Sequence, residues 1–280
     1  MSYVIHGATG AQGAPVAAAL AAVGAPVTAL TRNAGAVVAG ARVRAVDLRA
    51  TDTLADAYRG ADGVFVHLPL GGPEDRLRHA HNVVAALNAA RPGRVVFSTS
   101  GGTPVEFADP AVTAVIDGLR RSGLSHAVIA PRLFLENLLL PPVVTGAREQ
   151  GVLRYPLPDG YPVSWVSHLD VADAVVALLG RPDVTGLIEV GLRPAVTGPE
   201  LAEAFAARLG HAVTYEALTP AAFGDLLAPL LGTDAAAGVA GLYDFLGTFP
   251  DNAIAPERSA QAVLGLHPRT PLQWLTDAVG

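Results

Sequence analysis

Tyr3-Val4-Ile5-His6-Gly7-Ala8-Thr9-Gly10-Ala11-Gln12-Gly13 reads as a strand, a tight glycine turn and the start of a helix. Tyr3 to His6 are strand formers, and Ala11 to Val23 follow with mostly small residues, one proline and no charge to break a buried helix. Gly7 lets the chain turn off the strand, Gly10 lets backbone approach a bound group, and Gly13 lets the helix pack close to the sheet. Free N–H groups and the dipole at such a helix start favour an anion, typically a pyrophosphate. The spacing is G-x-x-G-x-x-G, and a plain glycine-rich turn has the same letters. The context of strand before, helix after and second strand next is what makes it a dinucleotide motif.

That second strand, Pro26 to Thr31, ends in Arg32, about twenty residues beyond Gly10. The end of this strand meets the adenosine ribose in a dinucleotide fold. A carboxylate there accepts from the 2′-hydroxyl of NAD, whereas an arginine suits the 2′-phosphate of NADP. Thr31-Arg32-Asn33 offers no carboxylate, so NADP(H) is the expected cofactor. A solvated surface arginine is the alternative.

The chain has 280 residues, 51% hydrophobic and 16% charged, enough for a large α/β domain with a smaller companion. A net charge of −6 without any basic run argues against nucleic acid and anionic membrane partners. There is no cysteine, which excludes disulfides, thiolate chemistry and cysteine-ligated metal. Every one of the 19 basic residues is arginine. No Schiff base, Walker lysine or Tyr-x-x-x-Lys pair is therefore available. No secretory signal is visible and no apolar stretch is long enough to span a bilayer, so a cytoplasmic protein is expected.

Strand and helix patterns alternate onward. Strands are expected at 42–46, 63–67, 94–98 and 126–130, with helices at 52–59, 73–90 and 110–121 between them. Short connections of this kind imply an α/β protein with a Rossmann-like, doubly wound parallel sheet, whose ligands bind at the carboxyl ends of the strands. Regular alternation fades beyond this. A helix at 167–179, a returning strand near 187–191, and a Thr197-x-x-Glu200 capping box opening a helix to Leu209 are expected. The expected division is a dinucleotide-binding domain over 1–150, joined by the returning strand, and a smaller α-rich lobe over 151–280.

Several local patterns combine. Gly7-Ala8-Thr9-Gly10-x-x-Gly13, Leu30-Thr31-Arg32-Asn33, Arg120-x-Ser122-Gly123-Leu124 and Phe134-x-Glu136-Asn137 are joined by Asp159-Gly160, Asp170-x-Ala172 and Val213-Thr214-Tyr215. Together they resemble the NmrA-like group of atypical short-chain dehydrogenases, and within it the type-2 NADPH:quinone oxidoreductases. The resemblance implies that Gly7, Thr9, Gly10, Ala11, Gln12 and Gly13 hold the pyrophosphate and Arg32 the 2′-phosphate. Asp47 and Leu48 would border the adenine, and His67, Leu68, Pro69 and Pro131 would run along the cofactor. For Asp47 a capping or solvated-turn role is an equal alternative. The chain departs from many relatives at Ala130-Pro131-Arg132, at Thr113 and over 241–256.

Ser98, Thr99 and Ser100 end the fifth strand, where ordinary short-chain dehydrogenases place a serine; with Tyr155 they are the candidate catalytic hydroxyls. A loop-capping role competes. Quinone reduction needs no strong acid, because the developing oxyanion is delocalised, so positioning can supply most of the acceleration. His6 reads as a core residue, His79 and His81 face different sides of one helix, and no metal is expected. The leading expectation is an NADPH-dependent reductase acting on a quinone or another small conjugated, planar carbonyl. The alternatives are a non-catalytic NADP sensor or a biosynthetic enzyme acting on a ketone, an imine or in a redox-neutral step. A homodimer is compatible with the sequence.

Overall fold

The computed structural model describes residues 1–104, 107 and 109–278. In chain order the elements are β1 (Tyr3–Ile5), α1 (Gly13–Ala22), β2 (Val27–Thr31), β3 (Ala41–Ala45), α2 (Thr51–Tyr58), β4 (Gly63–His67), α3 (Pro73–Ala90), β5 (Val95–Ser98), α4 (Pro110–Ser122) and β6 (His126–Pro131). They continue as α5 (Pro141–Thr145), β7 (Val152–Tyr155), α6 (His168–Leu179), β8 (Gly186–Val190), α7 (Gly198–Leu209), β9 (Thr214–Ala217), α8 (Pro220–Leu231), α9 (Thr233–Leu246), α10 (Ala260–Leu264) and α11 (Pro271–Ala278).

The first of two units comprises Met1–Pro131, His168–Val190 and Glu257–Leu266. Its seven strands run in the order β3-β2-β1-β4-β5-β6-β8, every pair parallel. This is the doubly wound Rossmann-like sheet that the alternation implies. The chain winds outward from β1 through β2 to β3, then returns to β4 on the other side of β1. Ile5 pairs with Ala29 on one flank and Phe65 on the other. The order therefore reverses between β1 and β4, and the crevice at their carboxyl ends is where such sheets bind ligands. Val64, Val66, Val95 and Phe97 pack into one buried cluster with Leu54 and Tyr58 of α2, Val83 and Leu87 of α3, and Val115 and Leu119 of α4. Phe65 and Val96, the alternate residues, are equally buried but outside that cluster, as the two-residue period of a strand requires.

The second unit comprises Arg132–Ser167, Gly191–Pro256 and the segment from His267 on. It is mostly helical around Tyr155, Trp165, Phe205, Phe223, Tyr243 and Trp274. Its small parallel sheet pairs β7 with β9. The sequence reading has no strand over 152–155; that stretch is short and lies in a proline- and glycine-rich region, and its partner is distant. The expected division, 1–150 joined by a returning strand near 187–191, also has other bounds than the structure's first unit. Residues 132–150 belong with the second unit, while 168–190 return to the first because α6 and β8 complete its sheet.

Candidate functional site

Gly7 has φ +54°, and a Cβ placed on it would lie 2.5 Å from His67 Nε2 and 2.9 Å from Cε1. Backbone conformation and the overlying ring both require glycine here. A Cβ on Gly13 would run into the carbonyl oxygens of His6 and Gly7, so α1 abuts β1 through bare backbone. Gly10 is different: a Cβ there meets only Gly7 O at 3.2 Å, and the rest of its surroundings are open. The turn closes with Gly10 N donating to Gly7 O (2.7 Å) and Ala14 N donating to Gly10 O (3.0 Å). No side chain caps α1 and its first turn holds no acidic residue, which leaves its N–H groups suited to an anion.

Beside this turn lies a cavity of about 840 Å³, within the range of small-molecule and cofactor sites. Gly7, Thr9, Gly10, Arg32, Asp47, Leu48, His67 and Pro69 line it. Of the other residues expected along a cofactor, Ala11, Gln12, Gly13, Leu68 and Pro131 are not part of this lining. Leu68 is buried in the core and Pro131 lies within β6. The lining also includes Leu70, together with three residues that sequence reasoning did not assign to the site, Asp75, Arg76 and His79. The last three stand at i, i+1 and i+4 on α3, a spacing that shows one helix face but not what it faces.

The floor and rim have distinct electrostatics. Asp47 accepts from Arg49 N (2.9 Å) and pairs with the Arg49 guanidinium, which holds its carboxyl below the usual carboxylate range. Arg32 is exposed at the end of β2, and among the described residues nothing is bonded to its guanidinium. His6 is buried against the Tyr58 hydroxyl (2.6 Å), and burial pushes its pKa down to about 3. Burial also lowers His67, whose ring covers Gly7. Both are neutral at physiological pH. The residues fit a dinucleotide: a glycine cradle that a Cβ would fill, a helix start without a cap, and an unpaired cation just past the end of β2.

The four candidate hydroxyls differ. Ser98 is fully buried, donates to Gln12 Oε1 at 2.7 Å and accepts from Ser100 N at 3.2 Å. Gln12 is itself buried, so its carboxamide braces the glycine turn against β5. Tyr155 lies in the second unit, fully buried, with its hydroxyl bonded to that of Tyr243 and its ring edge-on to Trp165. Both of these candidate hydroxyls are bonded to other side chains inside packed cores. Thr99 and Ser100 remain half-buried just past β5. Ser100 adopts φ +71°, and Gly101 and Gly102 follow at +83° and +99°. A non-glycine residue in this region stores strain, a feature that clusters at functional sites.

The NmrA-like family model matches residues 3–264 of the chain. An NAD(P)H azoreductase from Xenophilus azovorans is 31% identical over 225 residues, covering 77% of each protein. The NADP(H) complex of the Citrobacter sp. triphenylmethane reductase superposes with a TM-score of 0.81 at 18% identity, covering 98% of each chain. The NADPH complex of an Escherichia coli NADPH-dependent quinone oxidoreductase gives 0.75 at 21% identity and full coverage of both. With its parallel sheet, its glycine cradle and a family match over nearly its whole length, the chain belongs to the NmrA-like family.

Proposed function

We propose that this protein is an NAD(P)H-dependent reductase that holds NADPH in the cavity between the glycine turn, β2 and α3, and reduces a planar, conjugated acceptor, with quinones first among the candidates. The observation that carries the reading is the cavity itself, with the open side of Gly10 at one part and the unpaired Arg32 at another. The family match and the reductase names of similar proteins support it.

The chain's own contributions follow from its geometry. The start of α1 and the Gly7–Gly10 backbone bind the pyrophosphate, and Arg32 binds the 2′-phosphate through charge-assisted hydrogen bonds. Gln12, fixed by Ser98, keeps the turn in register with β5. When bound, the reduced nicotinamide supplies the hydride. Thr99 and Ser100, half-buried just past β5, are the hydroxyls we assign to orienting the acceptor's oxygen or nitrogen. No lysine exists to complete a Tyr-x-x-x-Lys relay, so positioning carries the acceleration and the acceptor's proton comes from water.

The test is NADPH oxidation, followed by absorbance, against a panel of quinones, azo dyes, triphenylmethane dyes and simple aldehydes. Turnover is expected with delocalised acceptors and not with the aldehydes. Tight NADPH binding without turnover of any acceptor would identify a cofactor sensor instead. Preference for the aldehydes would point to a dedicated proton donor.

A further inference from the structure

Two arginines line the cavity, and they are differently engaged. Arg32 is exposed, with no bonded partner among the described residues. The Arg76 side chain is only 13% exposed. Its Nη1 donates to Pro69 O at 2.5 Å and its Nη2 to Asp109 Oδ2 at 2.6 Å. The other oxygen of Asp109 accepts from Ala111 N and Val112 N at 2.8 and 3.0 Å, capping α4. One guanidinium thus joins α3, the loop after β4 and the start of α4. Just past its anchor on Pro69 stands Leu70, 94% exposed yet lining the cavity. Gly71 and Gly72 follow, with nothing within 4 Å of where a Cβ would be.

We propose that Arg76 and Asp109 form a clasp that positions the Pro69–Gly72 loop, so that its backbone and Leu70 border the bound dinucleotide, and that Arg76 is not itself a phosphate ligand. The inference rests on the reading of the cavity as the dinucleotide site. Both outer nitrogens of Arg76 are in use and its charge is balanced by Asp109, whereas Arg32 has its charge available. Freed from Pro69, a loop with two adjacent glycines samples many conformations, and binding must then order it. The clasp therefore acts on any dinucleotide equally, while Arg32 acts on the 2′-phosphate.

The experiment titrates NADPH and NADH by nucleotide fluorescence against wild type, Arg32→Ala, Arg76→Met, Asp109→Asn, the Arg76→Met/Asp109→Asn double variant and Gly10→Val. Asparagine still caps a helix, so Asp109→Asn removes the ion pair and keeps the cap. Arg32→Ala should weaken NADPH by about tenfold to a hundredfold and leave NADH nearly unchanged. Arg76→Met and Asp109→Asn should each weaken both nucleotides by the same factor, about threefold to tenfold, with the double variant no worse than either. If Arg76→Met does not fold, Asp109→Asn decides alone. A selective loss of NADPH in Arg76→Met makes Arg76 a phosphate ligand and rejects the clasp. Unchanged affinity for both nucleotides also rejects it. Undiminished binding by Gly10→Val means instead that the dinucleotide sits elsewhere, and the clasp's role falls with that reading.

Discussion

Ser98 shows how a neighbour decides what a residue can do. Three hydroxyl residues in a row at a strand end suggest donors facing substrate, yet Ser98 donates to Gln12, which is distant in sequence. Nothing local in either stretch signals that bond, whereas the need for glycine at 7, 10 and 13 is written into the motif itself. Ser98→Ala leaves the buried Gln12 oxygen without its donor and should cost about 1–3 kcal/mol of stability. Ser100 should behave oppositely. Its left-handed backbone costs a non-glycine residue about 1–2 kcal/mol, so Ser100→Gly should leave the protein as stable or up to about 1 kcal/mol more so. If its hydroxyl orients the acceptor, kcat should fall roughly tenfold. Urea titration and steady-state rates on both variants measure this. A thousandfold rate loss in Ser98→Ala with folding intact would return that hydroxyl to the chemistry.

Helices and strands were legible where their own residues carry the signal. Regular alternation placed six strands, and α4 ends at Ser122-Gly123, with Gly123 at φ +66°. The Thr197–Glu200 capping box is present. What stayed hidden depends on partners: β7 is short and pairs with β9 across a long separation, and the α3 face lining the cavity looks like any exposed helix face. Contact between α3 and α4 supplies an element-scale prediction. Gly118 lies mid-helix in α4, where glycine costs about 1 kcal/mol relative to alanine. A Cβ there would meet both γ-methyls of Val84 at 2.6 Å. Gly118→Ala should therefore destabilise by about 1–3 kcal/mol despite its better propensity. In a Val84→Ala background the same change should become neutral or stabilising by up to about 1 kcal/mol. Equal effects of Gly118→Ala in both backgrounds would show that Val84 is not the reason for glycine.

Across the whole molecule, buried histidines tie stability to pH. Burial pushes His6 down to about 3 and His168 to about 4, and lowers His67 as well. Above the ordinary histidine value near 6.5 both folded and unfolded chains hold these rings neutral. As pH falls from there towards 4, the unfolded chain takes up protons that the folded one refuses, so stability is lost. The loss should be on the order of a few kcal/mol by pH 4. Asp47, Asp183 and Glu200 are held below the usual carboxylate range, so their contributions fade only at still lower pH. Melting at pH 7, 5.5 and 4 without nucleotide should show the decline, and His168→Gln should make it shallower; a flat profile from 7 to 4 would contradict the assignment. The three-segment make-up of the first unit has a consequence on the ribosome. β6 emerges long before β8, its parallel neighbour, and throughout the synthesis of Arg132–Ser167 the sheet has an unpaired apolar edge and lacks α6. Such an edge is a template for wrong pairing. The nascent chain is thus most exposed to aggregation while Arg132–Ser167, the first segment of the second unit, is being made, and pauses in translation there would lengthen that interval.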